Sequence, residues 1–217
     1  MKPLPRRFYA RDCLVVAPEL VGCHLVHRTK RGILRGRIVE VEAYVHEEDQ
    51  ACHARFGKTP RSLLLYGQPG YSYVFLIYGM YDQFNVVCEP AGAPAAVLIR
   101  ALEPEPPLDG GTDGPGKLCR ALQITRAQNG LDLVGGGEIW LEPREKSRPK
   151  PRIEATPRIG IDYAGEWADK PWRFIDADSK YVSKRRPAKA GAKATPKAAA
   201  KATPKATPKA TIDKKKT

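Results

Sequence analysis

The sequence predicts an α+β fold, a single compact mixed α/β domain around a mainly antiparallel sheet. Alternating apolar segments, which are typical of strands, outnumber the helical segments. Most of them are separated by connections short enough for hairpins, which favours antiparallel pairing. A change of composition limits the domain to residues 1–183 and leaves a disordered Lys-, Ala- and Pro-rich tail at 184–217.

Apolar spacing and turn residues predict each element in chain order. A short helix is expected at 18–22, where a glycine ends it. The expected strands are 23–27, 33–45, 71–77, 84–88 and 95–102, followed by weaker candidates at 138–141, 152–160 and 172–175. Residues 104–116 are rich in Pro, Gly and Asp and predict a loop, which leads into a helix at 117–124.

The basic charge of the chain is concentrated in the tail. The 217 residues include 37 Lys and Arg and 24 Asp and Glu, a net charge of +13. Twelve basic residues and one acid lie after Ser183, so the tail carries +11 and the domain +2. The tail therefore predicts a polyanion-binding arm, with a purely solubilising tail as the alternative. Pro196, Pro204 and Pro208 oppose a helix there.

Composition also argues against several classes of protein. No segment approaches the roughly 20 apolar residues of a membrane span, so no membrane partner is expected. The apolar segment after the basic N-terminus is broken by Pro18 and Glu19, which argues against a signal peptide. Five cysteines without a CxxC pair indicate free, mostly buried thiols in a reducing compartment. We expect an intracellular location, in a bacterial cytoplasm or nucleoid or a eukaryotic nucleus.

The strand at 33–45 places carboxylates opposite an apolar face. Side chains alternate between the two faces of a strand. The apolar face, expected in the core, comprises Ile33, Val39, Val41, Ala43 and Val45. The other face carries Ile38, Glu40, Glu42 and Tyr44. We expect Glu40 to be solvated, whereas for Glu42 a solvated position competes with the role of a general base.

Arg100 interrupts the apolar strand at 95–102. An unpaired buried charge is very costly, so this arginine must lie at a rim or pair with an acid. Glu42, which also lies on a strand, is a candidate partner.

An aromatic hairpin is predicted at 71–81, where five of eleven residues are aromatic. Tyr78 and Met80 lie at its tip, and exposed large apolar groups usually mark a binding surface. Tyr73 shares a face with Phe75 and Ile77, and packing on its own sheet is the alternative for it.

Several blocks in register resemble the 3-methyladenine DNA glycosylase family of the mammalian alkyladenine type. The blocks are RIVEVEAY at 37–44, Asp49 with His53, TPR at 59–61, YGMY at 78–81 with Asn85, LIRALEP at 98–104, GPGKLC at 114–119 and AGEW at 164–167. They follow the family's order and nearly its spacing, and they span the domain but not the tail.

The resemblance implies a curved sheet with a protruding hairpin that enters the DNA minor groove. It implies flipping of damaged, alkylated purines out of double-stranded DNA and hydrolysis of the N-glycosidic bond, which leaves an abasic site. No metal or organic cofactor is implied, and a monomer is expected. Since no lysine lies in the pocket motifs, we predict a monofunctional glycosylase without lyase activity.

Site residues carry over position by position. The catalytic group comprises Glu42 as the base that activates water, Arg100 and the backbone carbonyl of Ile159, which hold that water. The base pocket comprises Tyr44, His53, Phe75, where the mammalian enzymes have tyrosine, and Asn85. The DNA-intercalating set comprises Tyr78, Leu65 and Met80. The DNA-backbone set comprises Arg61 and Lys117. The charge of the tail, which lies outside the resemblance, adds Lys184, Arg185 and Arg186 to it.

Two other functions compete with this interpretation. A non-enzymatic DNA-binding or chromatin-like protein would use the basic tail and need no carboxylate–arginine pair. A metal-dependent hydrolase would use His46, Asp49 and His53, although their spacing matches no compact ligand motif.

Overall fold

The computed structural model describes residues 2–183. The tail predicted at 184–217, with Lys184, Arg185 and Arg186, lies outside the described residues. The helices are α1 (Arg6–Tyr9), α2 (Cys13–Leu20) and α3 (Pro115–Ala121). The strands are β1 (His24–Thr29), β2 (Gly32–Val45), β3 (Ser72–Ile77), β4 (Tyr81–Val87), β5 (Ala95–Glu105), β6 (Ile139–Glu142), β7 (Ile153–Thr156) and β8 (Arg173–Asp176). Short 3₁₀ segments lie at His53–Phe56, Leu63–Tyr66, Arg126–Gln128 and Asp162–Ala168.

The strands form one antiparallel sheet in the order β3-β4-β5-β2-β1-β6, and β8 joins β2 to β7. β2 organises this sheet because it pairs with β5 along one edge and with β1 and then β8 along the other. Mixed α/β composition and a curled antiparallel sheet confirm the predicted α+β fold. The predicted limit of the domain at residue 183 stays a prediction.

Irregular pairing in β2 changes which of its side chains face the core. The register with β5 shifts between Ile38 and Val41, which indicates a β-bulge. Because a bulge breaks strict alternation, Ile38 joins Val41 in the main hydrophobic core, contrary to its predicted face. Ile33 is 41% exposed beside the turn to β1, so its predicted core position is wrong. Val41, Ala43 and Val45 lie in the core as predicted.

Two element boundaries differ from the sequence prediction. The first long helix is Cys13–Leu20, not 18–22, because the carboxylate of Asp12 accepts a hydrogen bond from the Leu14 N–H (2.7 Å) and caps it. β5 continues to Glu105 and α3 already begins at Pro115, so the loop is shorter at both ends than 104–116. A proline suits the first turn of a helix, where its missing N–H has no partner to lose.

The core lies between the sheet and the helices α2 and α3. The five cysteines are free and buried, as predicted. Burial raises the pKa of the Cys52 and Cys119 thiols to about 12, so both are neutral at pH 7. None of the helices in residues 2–183 is long and apolar enough to cross a membrane.

Candidate active site

Glu42 lies on β2 with its carboxylate fully buried. Its Oε1 accepts a hydrogen bond from the backbone N–H of Ile159 at 2.7 Å. Its Oε2 accepts from the hydroxyl of Tyr44 at 2.8 Å and from Nη1 of Arg100 at 3.2 Å. The predicted contact between Glu42 and Arg100 is therefore present. An ionised carboxylate accepts all three donors without a proton of its own.

Glu40, two residues earlier, is also fully buried, so its predicted solvated position is wrong. Its Oε1 accepts from Nε of Arg100 at 2.9 Å and from Nε of Arg173 at 2.7 Å. Ser183 donates its N–H and its hydroxyl to the same carboxylate at 2.6 and 2.8 Å. Burial by itself would raise the pKa of Glu40, but the two arginines and Ser183 outweigh it and lower that pKa.

Arg100 thus bridges the two carboxylates. Its guanidinium binds Glu40 through Nε and Glu42 through Nη1. The side chain is 9% exposed, so both contacts form with little competition from water. Both carboxylates have both oxygens occupied by hydrogen-bond donors of the protein, but only the donor residues of Glu42 (Tyr44, Arg100 and Ile159) all line a cavity.

This cavity has a volume of about 260 Å³. Its wall combines aromatic side chains with a few polar groups, which is typical of sites that bind small molecules. The lining residues include Tyr44, His53, Phe75, Tyr78, Asn85, Arg100, Ile159 and Tyr163. The predicted base-pocket residues therefore line one space together with Arg100 and Ile159, and Glu42 lies behind this wall, bonded to Tyr44, Arg100 and Ile159.

His53 and Phe75 form an aromatic corner of the cavity. Their ring centroids lie 4.6 Å apart at an interplanar angle of 69°. Nδ1 of His53 shares a hydrogen bond with the Tyr73 hydroxyl at 2.7 Å. Burial, with the charges of Arg61 and Arg55, lowers the pKa of His53 to about 4. The imidazole is therefore neutral at pH 7.

Asn85 is buried on β4, and its amide nitrogen donates to the carbonyl of Tyr73 at 3.0 Å. This contact across the β3–β4 pair fixes the amide against the cavity wall. The sequence predicted Asn85 in the pocket, but not its hydrogen bond to the Tyr73 carbonyl.

The hairpin tip presents the predicted intercalating residues differently. Tyr78 is 78% exposed with a φ of 52°, and Met80 is 67% exposed. Leu65 is 2% exposed and packs in a second core cluster, so its predicted intercalation is wrong. The 3₁₀ turn at Leu63–Tyr66 points Leu65 inward and leaves Leu63 58% exposed.

Arg61 and Lys117, the two residues of the domain that are predicted to contact the DNA backbone, are both exposed cations. Nζ of Lys117 lies 3.0 Å from Asp113, an exposed ion pair that water weakens. The Arg61 guanidinium lies over the Phe75 ring, 5.1 Å from its centroid.

One buried ion pair behind the pocket escaped sequence reasoning. Arg158 donates from both terminal nitrogens to Asp49 at 2.6 and 2.8 Å, and both side chains are fully buried. The guanidinium also lies 4.8 Å from the centroid of the Tyr44 ring. The pair therefore supports Tyr44 and the residue next to Arg158, Ile159. No local sequence pattern predicts the ion pair between Arg158 and Asp49, because the two residues are 109 positions apart.

The histidines and acids of the metal hypothesis have separate partners. Nε2 of His46 binds Glu89 at 2.7 Å, and Asp49 is taken by Arg158. His53 faces the aromatic corner. This arrangement does not present the three as a common set of ligands.

Ligand-type atoms of His24, Glu105 and Glu145 do lie within 4.8 Å of one another. Arg35 donates to Glu105 at 2.6 Å and to Glu145 at 2.7 Å. Because this guanidinium already balances the carboxylates, the cluster is an ion-pair network of the protein.

Comparison with known proteins agrees with this geometry. The family described as methylpurine-DNA glycosylase matches residues 7–180. A relative from Methanocella arvoryzae is 48% identical over 203 residues, which cover 86% of this chain and 98% of the relative. One from Myxococcus xanthus is 50% identical over 189 residues, with coverage of 86% and 96%, and one from Desulfitobacterium hafniense is 47% identical over 204 residues, with coverage of 84% and 99%. All three are named provisionally as 3-methyladenine DNA glycosylases.

The fold, the buried carboxylate beside an aromatic cavity and these matches define a DNA glycosylase, a class of DNA-repair hydrolase. The chain belongs to the methylpurine-DNA glycosylase family, which confirms the resemblance seen in the sequence.

Proposed function

We propose that this protein flips alkylated purines, 3-methyladenine among them, out of duplex DNA and hydrolyses their N-glycosidic bond. One observation carries the proposal: the buried Glu42 carboxylate is held by Ile159, Tyr44 and Arg100, and all three of these residues line an aromatic cavity. A DNA-packaging protein needs neither that carboxylate nor that cavity.

Glu42 acts as the general base in this mechanism. It takes a proton from a water molecule, whose oxygen attacks C1′ of the flipped nucleotide. The C1′–N bond breaks, and its electron pair leaves with the purine. Arg100 and the Ile159 carbonyl orient the water. Attack opposite the departing base is the geometry of inverting sugar hydrolysis.

The rings of the cavity favour a positively charged base. Alkylation at N3 or N7 makes a purine cationic, and a cation over an aromatic face gains roughly 0.5–2 kcal/mol. Tyr44 and Phe75 supply such faces. His53, with its pKa lowered to about 4, adds no positive charge that would repel the base. The cationic purine is also the better leaving group.

Tyr78 opens the duplex. Extruding a base costs a few kcal/mol, and a bulky wedge inserted from the minor groove fills the gap. Tyr78 and Met80 stand exposed at the tip of the β3–β4 hairpin, where such a wedge is required. A lyase reaction needs an amine, and no lysine of residues 2–183 lines the cavity, which supports a monofunctional enzyme.

Release of free 3-methyladenine from alkylated duplex DNA in a chelator-containing buffer tests the proposal. Glu42→Gln keeps the size of the side chain but removes the base, so we expect single-turnover excision to fall more than about 100-fold. Binding to lesion-containing DNA should persist. The exposed Glu48 provides a matched control, since Glu48→Gln removes the same charge away from the cavity. Substantial excision by Glu42→Gln would exclude Glu42 as the base.

A further inference from the structure

A stacked arginine at the mouth of the cavity has no role in the mechanism above. Arg55 lies in the 3₁₀ segment His53–Phe56, and its Cζ lies 4.5 Å from the centroid of the Phe56 ring. The same Cζ lies 5.0 Å from the centroid of the Tyr163 ring. Phe56 is 68% exposed and Tyr163 is 65% exposed.

The position of this stack is set by its neighbours. Tyr163 lines the cavity and is largely exposed, so it belongs to the rim. His53, which begins the segment that carries Arg55, also lines the cavity. The charge of Arg55 contributes to the lowered pKa of His53, which is consistent with its closeness to the pocket.

Arg55 lacks a carboxylate partner among residues 2–183, and its hydrogen bond there runs from Nη1 to the backbone carbonyl of Gln50. Arg35, by contrast, binds Glu105 and Glu145. A guanidinium offers five N–H donors, so most of those on Arg55 are available to an incoming anion.

We infer that Arg55, in contact with the rings of Phe56 and Tyr163, binds a phosphodiester next to the flipped nucleotide. The inference rests on the proposed function, since it takes DNA as the ligand. A planar guanidinium suits bidentate contact with phosphate oxygens. The two rings restrict the side chain before DNA arrives, which lowers the entropy lost on binding.

Replacing single DNA phosphates with a neutral group locates the contact. The probe is a duplex with a tetrahydrofuran abasic analogue, in which single phosphates flanking the analogue are replaced by methylphosphonate. Full-length protein and its Arg55→Gln variant are compared by fluorescence anisotropy between about 50 and 200 mM salt. Arg31→Gln, which removes an exposed charge from the turn between β1 and β2, is the control.

Arg55→Gln should weaken binding about tenfold and reduce the salt slope by about one phosphate. At one flanking position, methylphosphonate should cost the wild type as much and cost Arg55→Gln nothing further, a coupling that a double-mutant cycle measures. Phe56→Ala keeps the charge and should weaken binding without changing the slope.

Equal behaviour of Arg55→Gln and Arg31→Gln would overturn the inference. A loss of DNA binding in Phe56→Ala that is independent of every methylphosphonate substitution would also overturn it, because the rings would then stack on bases. The probe carries no base to excise, so binding is measured independently of the reaction. Excision without phosphate coupling would therefore refute this site and leave the proposed function intact.

Discussion

Glu40 and Glu42 show how two identical side chains on one strand acquire different properties. Both are fully buried and both bind Arg100. Glu40 also binds Arg173 and Ser183, so it balances two buried guanidinium groups. Glu42 has one charged partner, and its three hydrogen-bond partners line the cavity. We therefore expect Glu40 to act as a positioning residue that holds Arg100 for Glu42.

Glu40→Gln should destabilise the protein by about 3 kcal/mol, because it leaves buried arginines without their counter-charge. The pKa of Glu40 is lowered in the folded state, so its contribution is present above the unfolded pKa and is lost as pH falls through the folded pKa. The variant should thus lose less stability than the wild type on acidification. Urea unfolding at pH 7 and about pH 4 measures both effects.

Glu154→Gln is the control, since Glu154 lies exposed on β7 and pairs with the exposed Arg152. It should change the unfolding free energy by less than about 1 kcal/mol. Equal stability of Glu40→Gln and Glu154→Gln would refute the structural role of the Glu40 cluster. Rescue of excision in Glu40→Asp, but not in Glu40→Gln, would identify its positioning role.

Strand alternation predicts that Glu42 and Tyr44 share a face, and the cost of a buried charge predicts a partner for Arg100. Neither rule says whether that face is covered. Ser183 covers Glu40 from 143 residues away, and Arg158 supports Tyr44 from across the domain. Such long-range burial follows from the fold, which is why Glu40 was expected in solvent.

The hairpin β3–β4 depends on close contact with α3. Gly116 in that helix lies against Tyr81 at the start of β4, and a Cβ added there would lie 2.8 Å from Cδ1 of the ring. Real Cβ atoms do not approach so closely, so glycine allows the helix to reach the strand. This contact sets the position of the hairpin that carries Tyr78.

Gly116→Ala should therefore cost about 1–3 kcal/mol, because the helix and the hairpin must move apart. Excision should fall as well, since that hairpin carries both Tyr78 at its tip and Phe75 in the cavity wall. Gly114→Ala is a close control, because its Cβ would meet nothing nearer than Lys117 at 3.8 Å. Thermal unfolding and single-turnover excision report the two effects, and wild-type behaviour of Gly116→Ala would contradict this account.

Strands were predicted better than their ends. Alternation reveals β2 and a continuous apolar run reveals β5, but Pro104 suggested that β5 stops early. Pro104 pairs with Gly36 of β2, while β4 pairs with β5 only at Ala96–Leu98. The other edge of β5 is covered by Thr112, whose carbonyl accepts from the Leu102 N–H at 3.1 Å. A proline is tolerated where no neighbouring strand needs its N–H.

At the scale of the whole molecule, charge and chemistry are separated along the chain. The near-neutral domain holds the cavity and both buried carboxylates, whereas nearly all of the net charge of +13 follows Ser183. Composition revealed this division without any structure. It could not reveal the site, because one carboxylate and one arginine change the net charge by nothing.

The tail should supply nonspecific DNA affinity. Replacing its twelve basic residues with glutamine keeps its length and leaves Ser183 bound to Glu40. If the tail neutralises ~5 phosphates, the slope of log K against log salt should become shallower by about 4–5. Anisotropy with undamaged duplex DNA over a salt series measures the slope, and an unchanged slope would refute the arm.

The neutral-tail variant and Glu42→Gln together test the separation of charge and chemistry. Once DNA is saturating, the neutral tail should leave single-turnover excision unchanged, because no tail residue is needed to activate water. Glu42→Gln should keep the salt slope and lose excision, because it removes no cation that could bind a phosphate. If the neutral tail also slowed excision at saturation, the tail would have to take part in flipping or catalysis, and the near-neutral domain would not be the complete enzyme.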